Sequence, residues 1–249
     1  MEIHKISAQF YSNLSVNWPC PTCHQKTLQI VKNTFVTKDS ARTRLNYTED
    51  WFDHEMCESV FICMAECTRP QCQEVVACSG IGGESHFWEE DVGDHVESWY
   101  RPMCFSPILH PFLIPERCAE EIRQPLIASF SVYLSQPGSA ANLIRITVER
   151  MLTAIGVPEL NDNNKRIVLH HRLEKLDGQY ASYKDALMAI KFLGNAGSHT
   201  YDEVETGDIE DAFAIMEYVV NDIFSGRRES IDVITKRING KFGENKSKF

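Results

Sequence analysis

Hydrophobic residues recur at helical spacing throughout the second half of the chain, with polar residues between them. The pattern predicts five amphipathic helices joined by short connections, which is typical of a helical bundle. Ser, Asn and Asp favour the start of a helix and Gly favours its end, so these residues set the expected bounds. The expected starts are Pro125, Ser139, Asn163 or Asn164, and Asp208, and the expected ends are Gly156, Gly178, Gly194 and Gly226.

The first half carries shorter hydrophobic runs that are rich in β-branched residues, and these predict strands. The central run is apolar enough for a strand that is buried on both faces. Three glycines at positions 80, 82 and 83 are expected to end the last strand. The predicted strands are Thr27–Val31, Val60–Ala65 and Glu74–Cys78.

Three segments outside these elements have distinctive compositions. Residues 84–97 hold six carboxylates and no Lys or Arg, which indicates a solvated acidic loop. Residues 102–115 hold four prolines among apolar residues, which indicates an extended connector packed against another element. Residues 227–249 hold seven Lys or Arg against three acids, and we interpret them as a frayed, solvated tail.

These patterns together predict an α+β chain. A small β-rich region is expected at residues 1–101 and a proline-rich connector at 102–115. An all-α bundle is expected at 116–226, followed by a basic tail at 227–249.

The balance of charge narrows the class of function. Lys and Arg number 25 against 35 Asp and Glu, a formal net charge of -10. This acidic balance argues against broad, sequence-blind binding to nucleic acid, which depends on neutralising phosphates. No apolar run approaches the roughly 18 residues of a membrane span, and the opening residues lack the pattern of a signal peptide. A cytoplasmic protein that does not bind the membrane is therefore expected.

All nine cysteines lie between Cys20 and Cys118. Their number is odd and no export signal is visible, which favours thiols held as metal ligands over a disulfide framework. Cys20 and Cys23 form a Cys-x2-Cys pair, and we choose Cys67 and Cys72 as the second pair because a turn fits between them. Four thiolates complete a tetrahedral zinc site and leave no position for a reacting water, so the predicted cofactor is a structural Zn²⁺. Cys57, Cys63 and Cys78 remain alternative ligands.

The segment from Lys191 to His199 is a second candidate site. Gly194 and Gly197 flank Asn195 after a strongly amphipathic stretch, so a sharp turn is expected there. In such a turn His199 and Asn195 project together, and His199 is a candidate general acid or base. The structural alternative is a helix end whose Asn and His bond to free carbonyls.

The chain resembles the DUF4145 family, in which a Cys-Pro-x-Cys ribbon precedes a helical domain with a Leu-Gly-Asn-x-Gly-Ser-His segment. The resemblance covers both cysteine pairs, the tract from Ile144 to Leu152, and the tract from Ala189 to His199. It implies an N-terminal zinc ribbon followed by a HEPN-like helical bundle. HEPN domains occur in prokaryotic defence, toxin and restriction systems, and they usually assemble as dimers.

The resemblance implies two functions of different classes. Catalytic HEPN domains are metal-independent ribonucleases with an Arg-polar-x3-His motif. In this chain Asn195 and His199 match the polar residue and the histidine, but Gly194 occupies the arginine position, so the cation that stabilises transition-state charge is missing. Lys191 lies one turn earlier and lacks the fork of an arginine.

The missing arginine and the acidic charge favour a non-catalytic binding or adaptor protein, as a homodimer, in a defence or nucleic-acid-processing system. Its expected partner is a protein of an antiviral defence or restriction-type system. The alternative is a metal-independent ribonuclease that uses His199 and Asn195, with RNA as its substrate.

Overall fold

The computed structural model describes residues 3–89, 93–199 and 204–242, with the backbone alone at Glu89 and His199. It confirms the predicted α+β class, since strands fill the first part of the described chain and helices fill the second. The strands are β1 (Phe10–Tyr11), β2 (Leu28–Ile30), β3 (Val36–Asp39), β4 (Glu58–Cys67), β5 (Val75–Glu89) and β6 (Gly93–Ser106). The helices are α1 (Ala41–Asn46), α2 (Glu120–Val132), α3 (Pro137–Ala154), α4 (Leu169–Glu174), α5 (Lys184–His199), α6 (Thr206–Phe224) and α7 (Arg227–Phe242).

The six strands form one antiparallel sheet in the order β1-β6-β5-β4-β2, with β3 also pairing to β4. Strand β4 confirms the predicted strand at Val60–Ala65 but is not buried on both faces. Its inward residues, such as Phe61, are buried, while Val60 and Ile62 on the outer face are 57% and 59% exposed. A strand with one face on the core alternates in this way.

The three glycines do not end β5, which continues to Glu89. Their role is to let neighbouring groups approach the strand closely. A Cβ at Gly80 would lie 2.6 Å from the Phe61 ring, and one at Gly83 would lie 2.8 Å from the carbonyl oxygen of Cys57. The prediction failed because these contacts come from residues distant in sequence.

The predicted acidic loop at residues 84–97 is also wrong, because most of it belongs to the β5–β6 hairpin. Phe87 pairs with His95 and Trp88 with Asp94 across that hairpin, and residues 90–92 lie outside the described chain. Strand β6 extends to Ser106, so Pro102 belongs to the sheet rather than to the connector.

The helices occupy the predicted region, but several of their ends differ. Pro125 lies inside α2, which begins five residues earlier, and Ser139 is the third residue of α3, which begins at Pro137. Asp208 is not the N-cap of α6. It completes a capping box in which Glu205 is the N-cap. Asn164 adopts a left-handed backbone (φ 57°) in the loop that precedes the short α4.

One hydrophobic core joins the sheet to the helices. Phe105 from β6 belongs to the same buried cluster as Leu109 and Phe112 from the connector and Phe130 from α2. A hydrogen bond of 2.7 Å from the Ser7 hydroxyl to the Glu210 carboxylate also links the N-terminal segment to α6. The two regions therefore stabilise each other.

Residues 227–242 form helix α7 rather than a frayed tail. Its first turn is held by Arg228, which bonds to Asp222 and donates to the Tyr183 hydroxyl at 2.6 Å. Beyond that turn the helix extends from the body, and none of its residues is buried. Among the helices that the structure describes, none combines the length and the apolar character needed to cross a bilayer.

Candidate metal centre

The four cysteines chosen from the sequence lie together at one end of the sheet. Their sulfur atoms are all within 4.8 Å of one another. The Cys20 and Cys72 sulfurs are 3.6 Å apart, and the Cys23 and Cys67 sulfurs are 3.7 Å apart. A tetrahedron with Zn–S bonds of 2.3 Å has edges of about 3.8 Å, so the arrangement is compatible with a zinc ion.

Two tight turns with the same backbone form bring the sulfurs together. His24 directly follows Cys23 and Gln73 directly follows Cys72, and both have positive φ (57° and 51°). The His24 N–H donates to the carbonyl of Cys20, and the Gln73 N–H donates to that of Arg69. Each turn therefore reverses the chain immediately after a thiol, and that thiol lies within 3.7 Å of a thiol from the other pair.

Strand pairing sets the distance between the two turns. Cys67 ends β4 and pairs with Leu28 of β2, which follows the first turn closely in sequence. A hydrogen bond from the Thr68 N–H to the Thr27 carbonyl continues this pairing. The two cysteine pairs are distant in sequence, and the antiparallel register of β2 and β4 makes them neighbours.

Backbone amides surround the cluster as hydrogen-bond donors. Each sulfur accepts from the N–H group two residues further along the chain, and these donors belong to Thr22, Gln25, Arg69 and Glu74. The Thr27 hydroxyl also lies 3.1 Å from the Cys67 sulfur and 3.6 Å from the Cys23 sulfur. Such donors favour thiolates, the form in which cysteine binds metal.

The thiols differ in their acidity. Burial raises the pKa of Cys20 to about 12. At Cys23 burial has the same tendency, but the Gln25 N–H and the Thr27 hydroxyl outweigh it and lower the pKa to about 6. The lowered pKa of Cys23 favours its thiolate, the form of cysteine that binds a cation.

The three alternative ligands lie elsewhere. Cys63 and Cys78 face each other across β4 and β5. Cys57 lies beyond the other end of β4, beside His54 and Glu84. Among the described cysteines, none of these three joins the four-sulfur cluster, so the four chosen from the sequence are the ones that lie together.

The second sequence-predicted site is not a turn. Helix α5 runs through Gly194 and Gly197 to His199. The Ser198 hydroxyl donates to the Gly194 carbonyl at 2.9 Å, inside the helix. Asn195 is exposed, and the side chain of His199 lies outside the described part of the structure.

Lys191 and Asn195 line a cleft of about 700 Å³ between α3, α4 and α5. Arg145 also lines this cleft, from α3, and its role there was not predicted from the sequence. A Cβ at Gly194 would lie 2.6 Å from the Arg145 Cβ, so that side chain passes directly over the glycine. Its guanidinium pairs with Glu149 at 2.6 Å. No local pattern in the sequence marks this contact, because the two residues are on different helices.

Comparison with known protein families divides the chain at the same place as the fold. Residues 8–109, which hold the sheet, match the family described as Domain of unknown function (DUF8608). A search of curated proteins and a search of solved structures each return no match. Residues 128–241, which hold the helices from within α2 onward, match the family described as Domain of unknown function (DUF4145). The predicted resemblance to DUF4145 is therefore confirmed for residues 128–241, whereas the region that holds both cysteine pairs matches DUF8608 instead.

Proposed function

We propose that this chain is a non-catalytic binding protein, an adaptor in a prokaryotic defence or nucleic-acid-processing system. It acts in the cytoplasm as a homodimer, and its cysteine cluster is a ribbon that holds one structural zinc. Its helical region is HEPN-like, and its further partner is a protein of the same system. The observation that carries this proposal is the exposed apolar face of α7.

Helix α7 has an apolar stripe but buries none of its 16 residues. Four large side chains recur at steps of three and four residues, and each is between 42% and 60% exposed. They are Ile231, Ile234, Ile238 and Phe242. A helix with such a stripe gains most of its stability from packing against a partner. The stripe is therefore a binding surface.

The outer face of the sheet offers a matching apolar surface. Val36, Val60, Ile62, Met64 and Val75 are all exposed there. Glu66 is an exposed carboxylate at one end of this face on β4, Glu58 at the other end is paired with Arg42 at 3.5 Å, and α7 carries five Lys or Arg against two acids. Pairing α7 with another α7 brings like charges together, whereas pairing it with this face brings opposite charges together. The occupant of the stripe is therefore the outer sheet face of a second copy.

The wild-type chain should show twice its 28.5 kDa mass by light scattering during size-exclusion chromatography. Ile234→Glu combined with Ile238→Glu places two carboxylates in the stripe, and the expected result is a monomer. Ile62→Glu on the sheet face should have the same effect. Burying an unpaired charge costs several kcal/mol, so these carboxylates should prevent the stripe and the sheet face from associating.

Val233→Glu is the matched control, because this exposed residue lies on the opposite side of α7 and should leave the dimer intact. A wild-type monomer would contradict the homodimer. A dimer broken by the α7 variant but unaffected by Ile62→Glu would contradict the sheet face as the occupant.

Three features support the structural zinc. The sulfur separations fit a zinc tetrahedron, backbone amides stabilise the thiolates, and Cys20 and Cys67 are completely or almost completely buried. Four protein ligands fill the coordination sphere, so the ion has no open position for a substrate. Its role is to join β2, β4 and the two cysteine turns.

A metal-independent ribonuclease is the second candidate, and the position of Arg145 favours it. Gly194 replaces the arginine of the HEPN motif, and the side chain of Arg145 passes over this glycine. Arg145 lines the same cleft as Lys191 and Asn195. It offers the guanidinium that the motif lacks, although its ion pair with Glu149 offsets part of the charge.

Incubation with labelled RNA separates the two candidates. The assay contains EDTA at a concentration that leaves the zinc content unchanged, and the adaptor proposal expects no cleavage. Cleavage that falls on the order of 10²-fold in His199→Ala and in Arg145→Ala would favour the ribonuclease, because these changes remove a proton-transfer group and a cation. Arg150→Ala is the control, since Arg150 is an exposed arginine of α3 outside the cleft.

A further inference from the structure

A second group of metal-ligand side chains lies at the opposite end of β4 from the four cysteines. One nitrogen of His54, the sulfur of Cys57 and a carboxylate oxygen of Glu84 lie within 4.8 Å of one another. His54 Nδ1 is 2.7 Å from Glu84 Oε2. Nine residues of β4, positions 58–66, separate this group from Cys67, a span of about 30 Å. The group is therefore independent of the four-sulfur cluster.

The backbone holds these three residues in fixed positions. His54 begins a 3-10 turn that Asp53 caps, and the Cys57 N–H donates to the His54 carbonyl at 2.9 Å. This turn packs against β5 at Gly83, where any side chain would collide with the Cys57 carbonyl oxygen. Glu84 follows this glycine directly. The glycine thus brings Glu84 within reach of His54 and Cys57.

The group is closed on one side and open on the other. Cys57 is buried, whereas the side chains of His54 and Glu84 are 41% and 28% exposed. The ring of His86 lies 5.4 Å from the ring of His54, and its nitrogens face Asp53 and Asp94 at 3.8 and 3.5 Å. A metal bound here would have a buried thiolate behind it and solvent in front of it.

We propose that His54 Nδ1, Cys57 Sγ and a Glu84 carboxylate oxygen bind a second Zn²⁺ ion, whose fourth position is open to water. One nitrogen, one sulfur and one oxygen ligand form a donor set that suits zinc, and three protein ligands with one free position are typical of zinc sites that bind an exchangeable ligand. The Cys57 thiol must lose its proton to bind the ion. His86 and Asp53 lie beside the open side as outer hydrogen-bonding groups.

A third group, His170, His171 and Glu174, lacks this support. Its three side chains lie on one six-residue helix, and the two histidines are 42% and 63% exposed on their side chains. All three ligand positions therefore come from a single short element, although His170 Nδ1 also lies 3.3 Å from the Met188 sulfur of α5. The group of His54, Cys57 and Glu84 differs in this respect, because its ligands come from two elements, the 3-10 turn and β5.

Zinc content of the purified full-length protein tests the proposal after dialysis against a weak chelator. We expect two zinc ions per chain in the wild type and one in His54→Ala and in Glu84→Gln. Glu84→Gln preserves the shape of the side chain, so a loss of folding does not account for its effect. Cys104→Ser removes an exposed thiol elsewhere on the sheet and should retain both ions.

Cobalt substitution identifies which ion is lost. Tetrahedral Co²⁺ bound by thiolates absorbs in proportion to its sulfur ligands, and Glu84→Gln should remove the weaker, single-thiolate component while the four-thiolate component remains. One zinc per chain that depends only on Cys20, or two that persist in both variants, would overturn the inference. One zinc that is lost in Glu84→Gln but kept in Cys20→Ser would support this site and contradict the four-cysteine site.

Discussion

Cys20→Ser is expected to abolish tight zinc binding at the four-cysteine cluster and to lower the melting temperature of the whole chain. Three thiolates and an open position hold zinc less well than four. The loss of affinity should exceed the roughly 10- to 100-fold that removal of an outer hydrogen-bonding partner costs. Zinc competition with a chromophoric chelator measures the affinity, and calorimetry measures the melting.

The core suggests that both regions melt together. Cys20 and Cys67 belong to the same buried cluster as Phe105 of the sheet and Phe130 of the helices. A destabilised cysteine site therefore reduces the stability of the helices as well. Two separate regions would leave the helices folded when the cysteine site is lost. The shared core predicts instead that the helices lose stability with it.

Two variants calibrate that result. Thr27→Val removes the hydroxyl beside the Cys23 and Cys67 sulfurs, and it should weaken zinc binding less than Cys20→Ser does. Cys118→Ser removes a thiol that is also buried but lies outside the four-cysteine site. The zinc affinity of this variant should equal that of the wild type. If Cys118→Ser and Cys20→Ser lost zinc to the same extent, a general effect of losing a buried thiol would explain both.

The grouping of the four cysteines was predictable because each pair has local signals, a Cys-x2-Cys spacing in the first and a turn flanked by strands in the second. The main helices were predictable for a similar reason. Ile144, Val148 and Met151 on α3 recur on one face, and all three are completely buried. Patterns of this kind are local, so the sequence displays them directly.

The two groups of side chains that could not be predicted from the sequence depend on contacts between residues that are distant in the chain. Arg145 reaches the cleft from a neighbouring helix, and Glu84 joins His54 and Cys57 across about 30 positions of sequence. The glycines of β5 and α5 were predicted to end or turn the chain, and they lie inside these elements for the same reason. A glycine that bends a chain and a glycine that admits a neighbour look identical in one sequence.

Gly197→Val is expected to destabilise the helical region by about 3 kcal/mol, near the upper end of the usual cost of overpacking a core. A Cβ at this position would lie 2.5 Å from the carbonyl oxygen of Gly138 and 2.9 Å from the Cβ of Ala141. Both neighbours are on α3, and an oxygen of the backbone cannot rotate away as a flexible side chain does. The helices α3 and α5 must therefore separate, which opens the core behind them.

Gly240→Val is the matched control, because it makes the same change in α7, where no atom lies within 4 Å of the added Cβ. Valine has a better helix propensity than glycine by a few tenths of a kcal/mol, so this variant should be neutral or slightly stabilised. Urea denaturation followed by circular dichroism compares the two, with the midpoint reporting stability where the slope is unchanged. Equal midpoints for both variants would mean that α3 and α5 do not approach closely at Gly197.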